Sequence, residues 1–92
     1  MTNLRLSVHS NEHSWLRELF LNRRHELGLT QRAFGEKLGV VHSFIGKVET
    51  GDRRLDIFEF IEYCKGLELD PVVVLQEIEE RFGQSVLKQK HF

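Results

Sequence analysis

The fold is decided by residues 28–54, which read GLTQRAFGEKLGVVHSFIGKVETGDRR. Apolar residues recur at helical spacing over 31–38 and again over 42–50, and Gly39 stands between the two segments. Two helices of about two turns joined by a short glycine turn form a helix-turn-helix, whose second helix enters the DNA major groove. Spacing alone leaves an ordinary helical hairpin open as the alternative.

Three more helices are predicted on either side of this pair. Glycines end the periodic apolar segments at Gly28, Gly39, Gly51, Gly66 and Gly83. The five predicted helices cover about 14–27, 31–38, 42–50, 57–65 and 71–82. Their candidate N-terminal caps are Ser14, Thr30, Asp56 paired with Glu59, and Asp70 before Pro71. The predicted fold class is therefore all-α, a compact five-helix domain.

The predicted domain is flanked by an arm and a tail. Residues 14–82 form the domain, with the helix-turn-helix at about 30–50. Residues 1–13 are expected to be a flexible N-terminal arm and residues 83–92 a C-terminal tail. Apolar and polar residues alternate over 4–8, which leaves a short strand open as the alternative to a loose arm.

Composition narrows the class of protein. With 40% hydrophobic and 29% charged residues in 92, the chain has the usage of an ordinary globular domain. It shows no apolar run long enough to span a membrane and no signal peptide at its start, so a cytoplasmic location is expected. Its single cysteine, Cys64, cannot form an internal disulfide, and zinc-ligand spacings are missing. A chain this short rarely encloses a deep substrate cavity, which disfavours an enzyme.

The charges are unevenly distributed along the chain. The formal net charge is −1, yet residues 1–55 carry nine basic and six acidic side chains, whereas residues 56–92 carry four basic and eight acidic ones. A basic half that meets a polyanion, joined to an acidic half that faces away or meets a partner, is compatible with nucleic-acid binding.

The residues themselves extend this interpretation. The chain from about 16 to 78 resembles the phage-repressor/Cro-like (Xre-type) helix-turn-helix family, whose pattern reads roughly G-L-T-Q-x-x-L-A-x-x-L-G-V-S-x-x-x-I-x-x-x-E-x-G-x-R. The matching residues are Gly28, Leu29, Thr30, Gln31, Leu38, Gly39, Val40, Ile45, Glu49, Gly51 and Arg53. The resemblance implies a lambda-repressor-like DNA-binding domain.

Four residues depart from the family pattern: Phe34, Gly35, Val41 and Gly46. Val41 replaces the serine or threonine that usually caps the recognition helix, and such a cap contributes about 1 kcal/mol. Gly46 inside that helix costs about as much relative to alanine. Both changes are expected to weaken the recognition helix without preventing the fold.

The resemblance also implies which residues contact DNA. Gln31 begins the second helix, where its amide and the free N–H groups of the helix can meet a phosphate. His42, Ser43 and Lys47 lie on the face that reads base edges in the family, and Lys47 suits guanine. Phe44 either packs against the core or touches a thymine methyl. For the polar residues the alternative is a solvated surface.

Two further pairs take roles from the family. Arg53 and Arg54 lie in the loop that follows the phosphate backbone in the family, although adjacent arginines are also ordinary surface charge. Arg24 and Glu49 occupy the positions of a structural salt bridge between the first helix and the end of the third.

Nothing in the sequence forms a catalytic or metal-binding constellation. The five histidines are scattered; His9 and His13 alone stand at a helical metal-ligand spacing, in the expected arm. Cys64 falls on an apolar helical stripe, which favours a buried, inert thiol. We therefore expect no catalytic residues, no metal and no cofactor.

The function expected from these observations is sequence-specific binding of duplex DNA by a transcriptional regulator, a repressor that occupies a palindromic operator. A homodimer is expected, because one helix-turn-helix reads too few base pairs to find a single site. The predicted dimer contact lies on the last helix and tail, at Val74, Leu75, Ile78, Phe82, Val86 and Leu87. Closing the monomer's own core is the alternative role of these residues.

The alternative function is an antitoxin-like module that binds a partner protein through its acidic C-terminal half.

Overall fold

The structure, a computed structural model, describes residues 9–86, with side chains described from 9 to 83. These residues form five α-helices and no strand, as the all-α prediction requires. The helices are α1 (Asn11–Glu26), α2 (Gln31–Leu38), α3 (His42–Thr50), α4 (Ile57–Gly66) and α5 (Pro71–Val86). The strand alternative at 4–8 and the last six residues of the tail lie outside the described residues.

Helix α1 begins earlier than predicted. Its cap is Ser10, whose hydroxyl accepts a hydrogen bond from the His13 backbone N–H at 3.3 Å, and the prediction of Ser14 as the cap was wrong. Both serines are suitable acceptors, and the sequence does not show which of the two backbone positions is extended. Residues 11–13 therefore belong to α1 and not to an arm.

The other predicted caps are confirmed. The Thr30 hydroxyl accepts from the backbone of Ala33 at 3.0 Å. Asp56 and Glu59 form a reciprocal capping box with distances of 2.8 and 2.9 Å. Val41, as expected, gives α3 no side-chain cap. These local contacts fix where α2 and α4 begin.

Helix α5 is longer than predicted. It continues to Val86, so Gly83 lies inside the helix and does not end it. A glycine in a helix interior costs about 1 kcal/mol relative to alanine, which weakens a helix without necessarily stopping it. At Gly28, Gly39 and Gly51 the backbone adopts the left-handed conformation that commonly ends helices.

The core lies where α1, α2, α3 and α4 meet. Tyr63 is at its centre, with its ring centroid 4.9 Å from those of both Phe20 and Phe34. The buried apolar residues are Phe20, Phe34, Ile45, Val48, Phe60, Tyr63, Cys64, Leu67 and Val74. Each helix contributes at least one of them, so burial of this cluster holds the five helices together.

The turn between α2 and α3 is packed unusually closely. A Cβ atom at Gly35 would lie 2.8 Å from the backbone oxygen of Val40, so the absence of a side chain permits the approach. The Val40 N–H also donates to the Gly35 carbonyl at 2.9 Å. Glycine at this departure from the family pattern therefore sets how near α2 lies to the start of α3.

Candidate nucleic-acid interface

Helix α3 exposes one polar face and buries the opposite one. The side chains of His42, Ser43 and Lys47 are exposed, whereas Ile45 and Val48 are buried in the core. The structure thus brings the three predicted base-reading residues together on one accessible surface. A helix of nine residues with such a face has the dimensions that a major groove admits.

Thr50 extends this surface and was not predicted. It follows Lys47 by three residues and Ser43 by seven, spacings that place all three on one side of a helix. Its hydroxyl donates to the Asp52 carboxylate at 3.0 Å, and the Lys47 carbonyl oxygen lies 3.3 Å from the same hydroxyl. The helical spacing of the sequence would have been enough to predict Thr50 as part of this surface.

The orientation of α3 is set by a nearly buried ion pair. Arg24 on α1 donates to both carboxylate oxygens of Glu49, at 2.6 and 3.1 Å, and the two side chains are 9% and 8% exposed. Arg24 also donates to the Leu29 carbonyl at 2.7 Å. The pair implied by the family resemblance is present, and it ties the end of α3 to α1 with bidentate geometry.

The same carboxylate also engages Gln31. The amide nitrogen of Gln31 donates to Glu49 Oε1 at 2.9 Å, so the side chain points along the protein surface toward α3. Sequence reasoning assigned this amide to a phosphate and missed its partner, which lies 18 residues away. The predicted phosphate contact also used the backbone N–H groups at the start of α2. The bond between Gln31 and Glu49 does not involve those groups.

Phe44 and Arg53 form one packed unit beside α4. Phe44 is half-buried against the core, and the Arg53 guanidinium lies 5.1 Å from its ring centroid. Arg53 also forms a bidentate pair with Glu59, at 2.7 and 3.2 Å, and bonds the Arg54 carbonyl. The backbone N–H of Asp56 and then the Arg53 side chain hold the pKa of Glu59 below its usual value. Phe44 thus packs against the core, its contact with a thymine methyl stays a prediction, and Arg53 is engaged within the chain.

Arg54 lies beside two α1 residues that sequence reasoning did not select. His13, Arg17 and Arg54 line a common cleft between α1 and the loop that follows α3. Partial burial, Arg54 and Arg17 together lower the pKa of His13 from its usual value, against a smaller opposing effect of Glu12. Because the prediction placed His13 in an arm, it concealed the helical spacing of four residues between His13 and Arg17.

The described residues hold little that suggests bond chemistry. They include no group of three or more potential metal ligands. Burial raises the pKa of the Cys64 thiol to about 11, and nearby Asp70 adds to this effect, so the reactive thiolate is scarce at neutral pH. None of the described helices is long and apolar enough to cross a membrane.

Comparison with known proteins agrees with this geometry. A model of the helix-turn-helix domain family matches residues 15–76. The structure of an XRE-family like protein from Pseudomonas syringae pv. tomato str. DC3000 has a TM-score of 0.73 to this chain and 36% sequence identity, covering 79% of this chain and 89% of that one. No curated protein matches the chain significantly in sequence.

A restriction-modification controller protein, C.Esp1396I, is also similar. Its tetramer in complex with its natural 35 base-pair operator gives a TM-score of 0.67 at 26% identity, covering 78% of this chain and 95% of that one. The wild-type controller gives 0.67 at 25% identity, covering 83% and 99%.

The fold and the exposed α3 face define a helix-turn-helix DNA-binding protein. The chain belongs to the helix-turn-helix domain family and is a DNA-binding transcriptional regulator of the XRE type.

Proposed function

We propose that this regulator is a repressor that occupies a palindromic operator as a homodimer, with one α3 helix in each of two successive major grooves. The observation that carries the proposal is the exposed polar face of α3, held in place by the Arg24–Glu49 pair. A rigidly held helix loses little conformational freedom on binding, so more of its contact energy is available for affinity. The operator-bound tetramer of C.Esp1396I supports self-association on DNA.

Within this complex we assign the contacts by chemistry. Lys47 donates to the O6 and N7 acceptors of a guanine, and Ser43 bonds a base edge of either type. His42, near the start of α3, offers a ring nitrogen to a base or phosphate. The N-terminal N–H groups of α2, at Gln31, bind a backbone phosphate, as Arg54 does after α3. Arg53 joins them if it exchanges Glu59 for a phosphate.

The proposed mechanism is equilibrium occupancy without bond chemistry, and we assign no catalytic residue and no cofactor. Repression then follows from excluding other proteins from the operator. Free regulator concentration and operator affinity set the occupied fraction.

Lys47→Ala tests the assignment of α3. If Lys47 reads a guanine, the variant should bind its operator about 1–3 kcal/mol more weakly and lose preference at one base pair. Fluorescence anisotropy titrations with operator duplexes substituted at each position measure both effects. Lys65→Ala is the matched control, because Lys65 is an exposed lysine on α4, outside the helix-turn-helix.

Both variants must first show the circular dichroism spectrum and melting temperature of the parent. An equal loss of affinity on every duplex would assign Lys47 to a phosphate. Unchanged binding by Lys47→Ala would remove it from the interface.

A second candidate function is an antitoxin-like module that binds a partner protein. It is favoured by exposed carboxylates on α5, at Glu77, Glu79 and Glu80, beside exposed Val72 and Val73. The salt dependence of duplex binding separates the two functions, since phosphate contacts make affinity fall steeply with salt. Absent or salt-independent duplex binding would favour the partner protein.

A further inference from the structure

We propose that the cleft between α1 and the loop after α3 binds a phosphate group, and that an operator places a backbone phosphate there. The residues that hold it are His13, Arg17 and Arg54. This inference rests on the proposed function and extends the DNA contact to the first helix of the domain.

The first argument is the charge of the cleft. The polar side chains of its described lining are those of a histidine and three arginines, His13, Arg17, Arg53 and Arg54; the other lining residues are apolar, and none is a carboxylate. Glu59 pairs with Arg53 from outside this lining, whereas Glu12 is the acid that acts on His13. Cationic groups from two separate elements therefore converge on one small space, an arrangement that favours an anion with several acceptor oxygens.

The second argument is the way Arg17 is held. Its guanidinium lies 3.1 Å from the place that a Cβ atom of Gly51 would occupy, so it rests across the turn that ends α3. Ser14, one helical turn earlier, accepts a hydrogen bond from Arg17 Nη2 at 3.4 Å. The half-buried arginine is thus directed at the loop before any ligand arrives.

The third argument is position. Gly51 directly follows α3, and Lys47 lies one turn before it on the exposed face. If α3 occupies a major groove, the sugar-phosphate backbone at the edge of that groove passes its C-terminal end. The cleft therefore lies at the end of α3 where a phosphate of the operator is expected.

Protonation follows from the same geometry. Partial burial, then Arg54 from the loop and Arg17 on α1, disfavour the charged form of His13 and lower its pKa, while Glu12 partly opposes them. A bound phosphate reverses the sign of the local field, so the pKa of His13 rises in the complex. The complex then holds more protons than the free protein, and duplex affinity should increase as pH falls from 7.5 to 6, by at most about tenfold per pH unit for one linked proton.

The test uses the full chain and an operator duplex, titrated by fluorescence anisotropy at several salt concentrations and at pH 6 and 7.5. Arg17→Gln should make the plot of log affinity against log salt about one unit less steep, the effect of one lost phosphate contact. Arg17→Lys keeps the charge and should retain most of the slope. His13→Gln should reduce the dependence on pH, and the part that remains is then assigned to His42.

The matched control uses the same substitution elsewhere. Arg81→Gln removes an arginine from α5. It should leave the salt slope and the pH dependence as they are in the parent. Thermal unfolding of every variant shows that the fold is intact.

A second arm uses inorganic phosphate, with the His13 ring followed by NMR through a pH titration. An increase in the pKa of His13 with phosphate would show that the cleft binds the anion by itself. If this occurs while Arg17→Gln leaves duplex affinity and slope unchanged, the site takes a free anion and the DNA contact is refuted.

The remaining outcomes are also decisive. If the parent binds the duplex, and neither Arg17→Gln nor His13→Gln changes slope or pH dependence, the cleft is no phosphate site for DNA. If the parent binds no duplex under any condition, the proposed function itself fails, and this inference fails with it.

Discussion

At the scale of single residues, Tyr63 combines a favourable ring with an unfavourable hydroxyl. The residue is 1% exposed, and its ring packs tilted against Phe20 and edge-on against Phe34, but among the described residues its buried hydroxyl finds no hydrogen-bond partner. Burial, and secondarily the Glu49 carboxylate, raises the pKa of Tyr63 far above its usual value. The hydroxyl stays protonated throughout the physiological range and contributes a desolvation penalty instead of a contact.

We therefore predict that Tyr63→Phe stabilises the protein. Removing one unsatisfied buried hydroxyl should contribute about 1 kcal/mol, and the melting temperature should increase by about 4–8 °C for a domain of this size. Differential scanning calorimetry measures the change. A decrease would mean that the hydroxyl bonds an ordered water, and operator affinity should remain as in the parent in either case.

At the scale of elements, Glu49 joins three helices. It lies on α3, accepts from Arg24 on α1 and accepts from Gln31 at the start of α2. Two cationic or amide donors on one nearly buried carboxylate satisfy most of its acceptor capacity, which is the condition under which such a group is tolerated. This single side chain therefore links both helices of the helix-turn-helix to the first helix.

Removing one partner should therefore affect stability and DNA binding together. Arg24→Ala leaves the Glu49 carboxylate buried with Gln31 alone, and we expect a loss of roughly 3 kcal/mol in unfolding free energy. Urea denaturation measures the loss, and a duplex titration below the new midpoint measures affinity. Unchanged unfolding would show that the pair contributes nothing.

The exchange Arg24→Glu with Glu49→Arg supplies the control. If the two side chains interact directly, the double variant should recover part of what either single change loses. Recovery of stability without recovery of binding would show that Gln31 depends on a carboxylate at this place.

Local signals account for the part of the fold that sequence reasoning obtained. Thr30 and the Asp56–Glu59 capping box act within four residues, so their roles can be read from the neighbouring sequence. Ser10 and Ser14 are equally suitable caps, and tertiary packing decides between them. The sequence around Gly83 does not show whether this glycine ends a helix or lies inside one.

The candidate site was predictable only as far as its exposed face. The positions of His42, Ser43 and Lys47 follow from helical periodicity and the family pattern. The partners of Gln31 and Arg53 do not, because Glu49 and Glu59 approach them through the tertiary fold. Side chains that sequence reasoning directed at DNA are therefore already engaged by carboxylates in the free chain, and DNA must compete with those contacts.

At the scale of the whole molecule, α5 decides which apolar residues remain available for a second copy. Val74 is buried, and Phe82 packs edge-on against Trp15 with 5.9 Å between ring centroids. Val74 therefore takes the alternative role of closing the monomer's own core, and the ring of Phe82 is partly covered by Trp15. Val86 and Leu87 have side chains outside the described residues. Among the predicted contact residues with described side chains, Leu75 is the most exposed, at 43%.

This surface makes a specific prediction about assembly. Val72 is 59% exposed and lies three residues before Leu75, so the two side chains share one side of α5. If this side forms the dimer contact, Leu75→Glu places a charge in an apolar interface. Self-association should then weaken roughly tenfold or more. Sedimentation equilibrium at micromolar concentration measures the monomer–dimer constant, both free and on a duplex with two half-sites.

Val73→Glu is the matched control, because Val73 is 48% exposed on the same helix but points to a different side. It should leave the association constant nearly unchanged. A parent protein that stays monomeric both free and on the duplex would refute the dimer.

The buried position of Cys64 makes its thiol a built-in probe of how often the native state opens. As the chain's single cysteine, fully buried and with a pKa near 11, it reacts with a thiol reagent only when the core opens. The rate of labelling at neutral pH therefore counts opening events of the native state without any engineered probe. If operator DNA binds only the closed form, it should decrease the labelling rate of Cys64 by the same factor by which it stabilises the fold.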